Sequence, residues 1–458
     1  MAQTEPTATR VDSFGDYSTI QVPKTETKSL FGMFLVYLGV LICVAVIWGG
    51  AELGLGLNLK NMITAAIIGS LILGVIGWFT GYIGGHTRTS TYVMMRHSFG
   101  RTGAIVASIA VSGLATGIGW FFIQAWLFST VLATICNTVL GYVPWIASGP
   151  VASIWGALLM CLTAYYGYKG LAFLSNIAVP LFLIVLFSGT YAAVTEAGGF
   201  SAAALAIPSN PITMGTGITA VIGMYISGAT ITSDIARFAV TPTAGAWAWF
   251  LQVAIVQPIM LVAAGLMTLL TPAGDVVQSM AYLGIGVGAL LLVILGQWTT
   301  NDNNLYSGSL AFVTAIRIKR SHMVLIQGVI GAALAFLTSI GFFGADPFMN
   351  FLTQLGRFLP PIAGVVIADY FIVKPYVLGI KDPYKRYEFG EGTVYSRWNW
   401  AGIIAWILGA LLSPYIPGAV GLNSVLIGLV VYAVLAAIFE KSGTAYTSGT
   451  YIEPADGF

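Results

Sequence analysis

Residues 30–56 read LFGMFLVYLGVLICVAVIWGGAELGLG, an apolar run that contains a single charged residue, Glu52. A helix needs about 20 mostly apolar residues to cross the hydrocarbon core of a bilayer, so this run predicts a transmembrane helix. The whole chain has the same character, because 57% of its 458 residues are hydrophobic. Only 8% are charged, against roughly 25% in soluble domains. We therefore expect an all-α polytopic protein whose outer surface contacts the lipid bilayer.

Twelve apolar runs of this kind predict twelve transmembrane helices. They lie near residues 30–56, 62–85, 103–137, 147–168, 171–195, 215–239, 244–271, 281–314, 323–344, 349–373, 399–417 and 420–439. Basic residues concentrate in the connections that follow the even-numbered runs, which the positive-inside rule assigns to the cytoplasm. We expect a multi-pass protein of the plasma membrane, the inner membrane in a bacterium, with both termini in the cytoplasm.

Composition and motifs exclude several classes of function. The net charge of +2 comes from scattered clusters and indicates no nucleic-acid partner. The three cysteines have neither the spacing of a metal site nor that of a disulfide framework. The chain carries no phosphate-binding glycine loop, no HExxH pair and no GxSxG elbow, so neither an ATP-driven pump nor a hydrolase is indicated. We expect a gradient-driven transporter, not an enzyme, with a coupling ion (Na⁺ or H⁺) and no other cofactor.

Glycine clusters interrupt the first and sixth runs at 48–56 and 223–228. Glycine in a helix costs about 0.5 to 1 kcal/mol relative to alanine, so these clusters predict unwound backbone there. Discontinuous helices 1 and 6 would expose amides and carbonyls near the bilayer midplane, where transporters bind substrate and ion. The alternative is that the glycines allow close packing between helices.

The third run places Gly113, Gly117, Trp120 and Gln124 at three- and four-residue steps, on one face of a helix. An amide side chain donates and accepts hydrogen bonds at once, as the edge of a nucleobase or a cyclic ureide requires. Trp120 would supply a flat stacking surface one turn away. The alternative is an interhelical hydrogen bond from Gln124, surrounded by ordinary aromatic packing.

The eighth run contains an unusually polar segment, GQWTTNDNN, at 296–304. The hydroxyls of Thr299 and Thr300, with the carbonyl of Gly296 one turn back, could bind a hard cation such as sodium. Alternatively, the threonines bond carbonyls of their own helix. Glu52 and Asp302 are further candidates, since an ionisable group inside a membrane segment could relay a proton.

Several motifs resemble those of nucleobase:cation symporter family one, and in particular its bacterial cytosine permeases. They extend in order from the second run to the tenth: 84–100, GWF at 119–121, SGATITSD at 227–234, WTTNDN at 298–303 and PPIAGVVIADY at 360–370. The resemblance implies a symporter that works by alternating access, and we expect it to act as a monomer. Its fold would be a 5+5 inverted-repeat transporter fold with two peripheral helices. The expected boundaries are an amino-terminal tail at 1–28, repeats at 29–195 and 214–374, peripheral helices at 398–440 and a carboxyl-terminal tail at 441–458.

The resemblance also implies site residues. Trp120 and Tyr225 would stack on the two faces of the substrate, and the other substrate-binding residues would be Gln124, Ser227, Gly228, Gln297 and Asn304. Sodium would bind the hydroxyls of Thr299 and Thr300 and the carbonyls of Cys43, Val46 and Gly296. The chain departs from the cytosine permeases at Gly117 and Gly296, where they have glutamine and asparagine. The spacing of Trp120 and Gln124 is instead similar to that of the hydantoin, allantoin and uracil branch.

We therefore predict cation-coupled uptake, with Na⁺ favoured over H⁺, of a nucleobase or related heterocycle of the cytosine, purine, uracil, hydantoin or allantoin class. One alternative is a symporter of an amino acid or amine on the same fold, since aromatic pairs also bind cations. Another is a channel or a nontransporting membrane receptor. A channel would need a continuous polar lining, whereas this chain concentrates its polar residues in the third, sixth and eighth runs.

Overall fold

A computed structural model describes residue 17 and residues 21–166, 171–285, 287–313, 315, 318–443 and 447–452 of the protein. The side chains of residues 166, 171–179, 287–293, 299, 303 and 451 lie outside this description. The first half of the described chain is helical between short connections. Its helices are α1 (Leu30–Leu41), α2 (Val44–Gly56), α3 (Leu59–Thr87), α4 (Thr91–Leu140), α5 (Gly149–Tyr166), α6 (Leu171–Glu196) and α7 (Phe200–Leu205).

The second half continues in the same way and adds one small sheet. Its helices are α8 (Met214–Thr230), α9 (Ser233–Ala236), α10 (Pro242–Leu270), α11 (Val276–Tyr282), α12 (Val287–Val313), α13 (Arg320–Ser339), α14 (Pro347–Val377), α15 (Pro383–Arg386), α16 (Trp400–Leu412) and α17 (Val420–Ser442). Strands β1 (Val394–Asn399) and β2 (Thr447–Ile452) pair antiparallel. Within the described residues, single 3₁₀ turns lie at Lys24–Glu26, Trp145–Ala147 and Ser413–Tyr415.

Many of these helices have the length and apolarity of membrane spans. Within the described residues, seven pass both tests, or eight if the bent pair α1 and α2 forms one span. Shorter apolar helices cover Gly149–Tyr165, Pro180–Glu196 and Trp400–Tyr415. A multi-pass helical membrane protein is therefore confirmed, and the number of twelve spans stays a prediction. Burial separates central from peripheral helices: 78% of the apolar window of α14 is buried, against 28% for α17.

The first span breaks between α1 and α2, which meet at an angle of 62°. Cys43 is fully extended there (φ −140°, ψ 163°), and the glycine-rich segment that follows is helical up to Gly56. The predicted discontinuity is therefore present, but its predicted position at 48–56 is wrong. Gly50 and Gly54 serve close packing against α10 instead. A Cβ on Gly50 would lie 2.8 Å from the Cα of Leu261, and one on Gly54 would lie 2.6 Å from the Oγ1 of Thr268.

In the sixth span, too, the helix ends away from the glycine cluster. Helix α8 runs through Gly223 and Gly228 and ends at Thr230, before a turn at Ile231 leads into α9. The prediction that the segment 223–228 is unwound is therefore wrong. A Cβ on Gly223 would lie 2.9 Å from the backbone nitrogen of Gly356, so this glycine allows α8 and α14 to touch.

A buried carboxylate joins α14 to two other parts of the chain. Asp369 accepts hydrogen bonds from the hydroxyls of Tyr387, in the connection after α15, and Tyr432, in α17, at 2.8 and 2.7 Å. The Tyr387 hydroxyl also lies 2.8 Å from the Oγ of Ser98 in α4. Charge-assisted bonds of this length are stronger than neutral ones, so the carboxylate fixes the packing of these segments.

His97 lies beside this network, in the part of α4 that precedes a kink at Gly100 (φ 77°) and the third apolar run. Its ring stacks on Tyr387 at a centroid distance of 4.2 Å and meets the edge of Tyr395 at 5.1 Å. Burial, followed by the positive charge of Lys374, holds the pKa of His97 well below its usual range. The folded protein therefore favours the neutral ring.

We predict that acidification destabilises the protein through His97. The stability from the neutral ring is fully present above the unfolded pKa of about 6.5 and is lost as the pH falls below it. The melting temperature of the purified protein should therefore drop between pH 7 and pH 5. The drop should be smaller in His97→Gln, which does not titrate. An identical pH dependence in the variant would contradict this account.

Candidate functional site

A cavity of about 590 Å³ lies at the break between α1 and α2. The second half of α1, the first turn of α2, the junction of α8 and α9, and parts of α4, α10 and α12 contribute lining residues. Its volume falls within the range of about 300 to 1,000 Å³ that is typical of small-molecule sites. Because α1 lines it along several turns, the cavity extends from the break toward the amino-terminal end of the first span.

The cavity brings together most of the predicted substrate-binding residues. Its lining includes Trp120, Gln124, Tyr225, Ser227, Gly228 and Asn304. Gln297 lies elsewhere: it is fully buried and does not line the cavity. The distance in sequence between these residues shows that the fold, and no local motif, assembles the site.

Aromatic rings form two walls of the cavity. Trp120 meets the edge of Phe351 at a centroid distance of 5.1 Å, which holds the plane of its ring in place. Tyr225 stacks on Trp249 at 5.0 Å with an interplanar angle of 20°. Trp249 is itself held by a hydrogen bond from its Nε1 to the carbonyl of Leu73 at 3.1 Å.

Sequence reasoning missed two aromatic residues of this wall, Trp249 and Tyr37. Both line the cavity, and the edge of Tyr37 meets Trp249 at a centroid distance of 5.5 Å. The hydroxyl of Tyr37 donates to the carbonyl of Thr232 at 3.2 Å. Both residues lie inside long apolar runs, and Gln252, one helical turn after Trp249, does not by itself distinguish a residue that lines a cavity from one at a contact between helices.

Two polar atoms of the lining have no hydrogen-bond partner in the described part of the chain, the Oε1 of Gln124 and the Oγ of Ser227. Both residues are buried, at 1% and 6% exposure. A buried polar group without a partner costs about 1 to 3 kcal/mol. A polar ligand in the cavity would remove this cost, so the two atoms indicate where such a ligand forms hydrogen bonds.

The described members of the predicted cation site also line this cavity. They are Cys43, Val46, Gly296 and Thr300, whereas the side chain of Thr299 lies outside the described residues. The Oγ1 of Thr300 donates to the carbonyl of Gly296 at 2.8 Å, which is the alternative that the sequence left open. Hydroxyl and carbonyl oxygens keep further lone pairs, and such hard oxygen ligands fit a sodium ion.

The two acids considered as proton relays lie away from the cavity lining. Asp302 is buried behind it and accepts a hydrogen bond from the hydroxyl of Thr163 at 3.0 Å. Glu52 lies in α2, beyond the last α2 residue that lines the cavity. The acid that does line it is Asp234, whose Oδ1 accepts the backbone N–H of Thr91 at 2.7 Å.

Gly117 has a packing role. A Cβ on Gly117 would lie 2.6 Å from the Cα of Gly308, so α4 and α12 touch backbone to backbone. This contact lies in a π-helical stretch of α4, Ile109–Trp120. Because a π-helix has a different pitch, Gly113 and Gly117 face α12 while Trp120 and Gln124 line the cavity.

Comparisons with known proteins identify the family of the chain. Residues 21–439 match the family described as permeases for cytosine/purines, uracil, thiamine and allantoin. The chain is 30% identical over 437 residues to the cytosine permease of Escherichia coli strain K12, a match that covers 94% of this chain and 96% of that protein.

Two solved structures of the transporter Mhp1 are also similar. For the inward facing conformation the TM-score is 0.77, with 18% identity and coverage of 98% of this chain and 97% of that one. For a closed conformation with bromovinylhydantoin bound, the TM-score is 0.72, again with 18% identity and coverage of 96% and 97%. At this level of identity the likeness shows a shared fold.

We predict that Cys43 reacts with a small thiol reagent and that Cys161 does not. Cys43 is half-buried and lines the cavity, whereas Cys161 is buried and its Sγ donates to the carbonyl of Val324 at 3.5 Å. Methyl methanethiosulfonate applied to Cys136→Ser protein should modify Cys43 alone, as measured by mass spectrometry of peptides. The Cys43→Ser, Cys136→Ser double variant is the control. Preferential modification of Cys161 would contradict the placement of Cys43 in the cavity lining.

Proposed function

The chain belongs to the nucleobase:cation symporter family, the permeases for cytosine/purines, uracil, thiamine and allantoin, and from this premise we propose cation-coupled uptake of a nucleobase or a related heterocycle. The resemblance seen in the sequence is thereby confirmed. The expectation that the chain is not an enzyme is confirmed as well, because its relatives are permeases. The choice of substrate and of ion belongs to the proposal.

The observation that carries the proposal is the composition of the cavity wall. It combines flat rings at Trp120 and Tyr225 with buried, unpaired oxygens at Gln124 and Ser227. A planar heterocycle has two faces that stack and an edge that forms hydrogen bonds, so it matches both features at once. An aliphatic amino acid would leave the rings without a stacking partner.

We assign the roles accordingly. Trp120 and Tyr225 stack on the ring, Gln124, Ser227 and Asn304 form hydrogen bonds to its edge, and Gly228 leaves room beside it. A side chain at this position would press against the aromatic rings, since a Cβ on Gly228 would lie 3.1 Å from atoms of both Tyr225 and Trp249. Gln297 stays a prediction from the sequence alone.

A sodium ion is the proposed coupling ion. The ion would be held by oxygens of Gly296 and Thr300 and by the backbone carbonyls of Cys43 and Val46 at the break. Thr299 is included because of the resemblance to the family. The bound ion would contribute positive charge at the break. The residues that would hold the ion line the same cavity as the proposed substrate site, so that this charge can act on substrate affinity.

The topology completes the proposal. We infer twelve spans, two inverted repeats at 29–195 and 214–374 with discontinuous helices 1 and 6, peripheral helices at 398–440, and tails at 1–28 and 441–458. Both termini would lie in the cytoplasm of a cell with the protein in its plasma membrane, and the transporter would act as a monomer. In that orientation the cavity extends toward the cytoplasm.

We predict that Trp120→Ala weakens binding of the heterocycle strongly. Stacking on one base contributes roughly 1 to 3 kcal/mol, so affinity should fall about fivefold to 150-fold. The measurement is a thermal-shift titration of the purified protein with cytosine, adenine, uracil, hydantoin and allantoin, with amino acids and amines as competitors. Trp126→Ala is the matched control, because Trp126 lies on the same helix outside the cavity lining. Stabilisation by amines alone would favour the alternative symporter.

We predict that Thr300→Ala weakens the dependence of substrate binding on sodium. The variant removes one oxygen ligand and the hydrogen bond to Gly296, so more sodium should be needed for half-maximal substrate affinity. Thr116→Ala is the control, because this threonine also lines the cavity but bonds the carbonyl of Val111. Wild-type binding that ignores sodium but varies steeply with pH would overturn sodium coupling in favour of protons.

A further inference from the structure

Asn301 is a buried residue behind the cavity wall. It lies in α12, three residues before Asn304, with no exposed surface, and it does not line the cavity. Its amide forms hydrogen bonds on both sides. The Nδ2 donates to the backbone carbonyl of Phe121 at 3.2 Å, and the Oδ1 accepts from the Nδ2 of Asn304, also at 3.2 Å.

These two bonds fix the orientation of both amides. A backbone carbonyl only accepts hydrogen bonds, so the Asn301 amide must turn its nitrogen toward Phe121 and its oxygen toward Asn304. The Sδ of Met160, a weak acceptor, lies 3.2 Å from the same nitrogen and favours the same orientation. Asn304 must then offer its nitrogen to Asn301, which leaves its carbonyl oxygen directed away from Asn301.

The bond to Phe121 also ties together two helices that line the cavity. Phe121 directly follows Trp120, at the point where the π-helical stretch of α4 ends. The bond from Asn301 to Phe121 therefore joins the helix that carries the stacking ring to the helix that carries Asn304. Because buried hydrogen bonds are costly to break, this bond limits how far Asn304 can move relative to Trp120.

We propose that Asn301 is a positioning residue that holds the carbonyl oxygen of Asn304 toward the substrate, so that the site selects heterocycles with a ring N–H at that position. This inference rests on the proposed function and deepens it. The unpaired Oε1 of Gln124 is a second acceptor in the same lining. Together they favour lactam, imide and ureide edges, which present N–H donors, over edges that only accept.

The experiment measures selectivity instead of affinity alone. Cytosine, uracil, hydantoin and allantoin, each with its ring N-methyl derivatives, are titrated against the wild type, Asn301→Leu and Asn301→Ser. Leucine has nearly the shape of asparagine but cannot accept the bond from Asn304, which frees that amide to rotate. Gln327→Leu is the matched control: its buried amide also bonds α4, at the carbonyl of Gly113, but Gln327 is not among the residues that line the cavity.

The wild type should bind one parent compound about tenfold or more tightly than one of its N-methyl derivatives, since methylation leaves the buried acceptor unpaired. Asn301→Leu and Asn301→Ser should reduce that ratio at least about fivefold, because the rotated amide of Asn304 no longer requires a donor. The control should keep the wild-type ratio even if its melting temperature falls. A general packing role would lower stability in all three variants without changing selectivity.

The outcomes distinguish a failure of the proposed function from a failure of the proposal for Asn301. If no heterocycle binds the wild type, the proposed function fails. If the wild type binds and discriminates but both Asn301 variants keep its ratio, or if neither variant yields folded protein, the proposal for Asn301 is overturned while the proposed function stands. A wild type that binds parent and methylated compounds equally also overturns it.

Discussion

The backbone at the break between α1 and α2 carries polar groups for which lipid offers no hydrogen-bond partner. In a bilayer, irregular backbone is tolerated only where protein surrounds it or where it lines a cavity. Here it does the latter, since Ile42 and Cys43 contribute to the cavity wall. The other helices are arranged around this requirement: α10 packs against α2 through glycine contacts, and α4 and α12 supply the opposite wall.

The sequence predicts the positions of the helices well but the break poorly. The apolar run at 147–168 corresponds to a helix at Gly149–Tyr166, because length and apolarity are local properties. The break at Ile42 and Cys43 carries neither glycine nor proline, so propensity could not locate it. The glycines at 48–56 and 223–228 predict unwound backbone, yet Gly50, Gly54 and Gly223 pack helix against helix. That role depends on neighbours that a single segment does not reveal.

The candidate site also contains some residues that the sequence predicts and others that it cannot reveal. The spacing of Trp120 and Gln124 and the polar segment around Thr300 identified residues that do line one cavity. Trp249 could not be found, because its contribution depends on the approach of α10 to α1. Asn301 and Gln297 belong to one polar segment, and only the rotation of α12 decides that both lie behind the wall. Periodicity predicts which residues share one face of a helix, whereas the packing of the helices determines what that face contacts.

Backbone contacts at glycines define at least two groups of helices around the cavity. Gly117 and Gly308 join α4 to α12, while Gly50 and Gly54 join α2 to α10. Trp120 and Asn304 belong to the first group, and Trp249 to the second. The glycines that join these helices are thus different residues from the side chains that line the cavity. Substitution of lining side chains can therefore change which solute fits while these backbone contacts are kept.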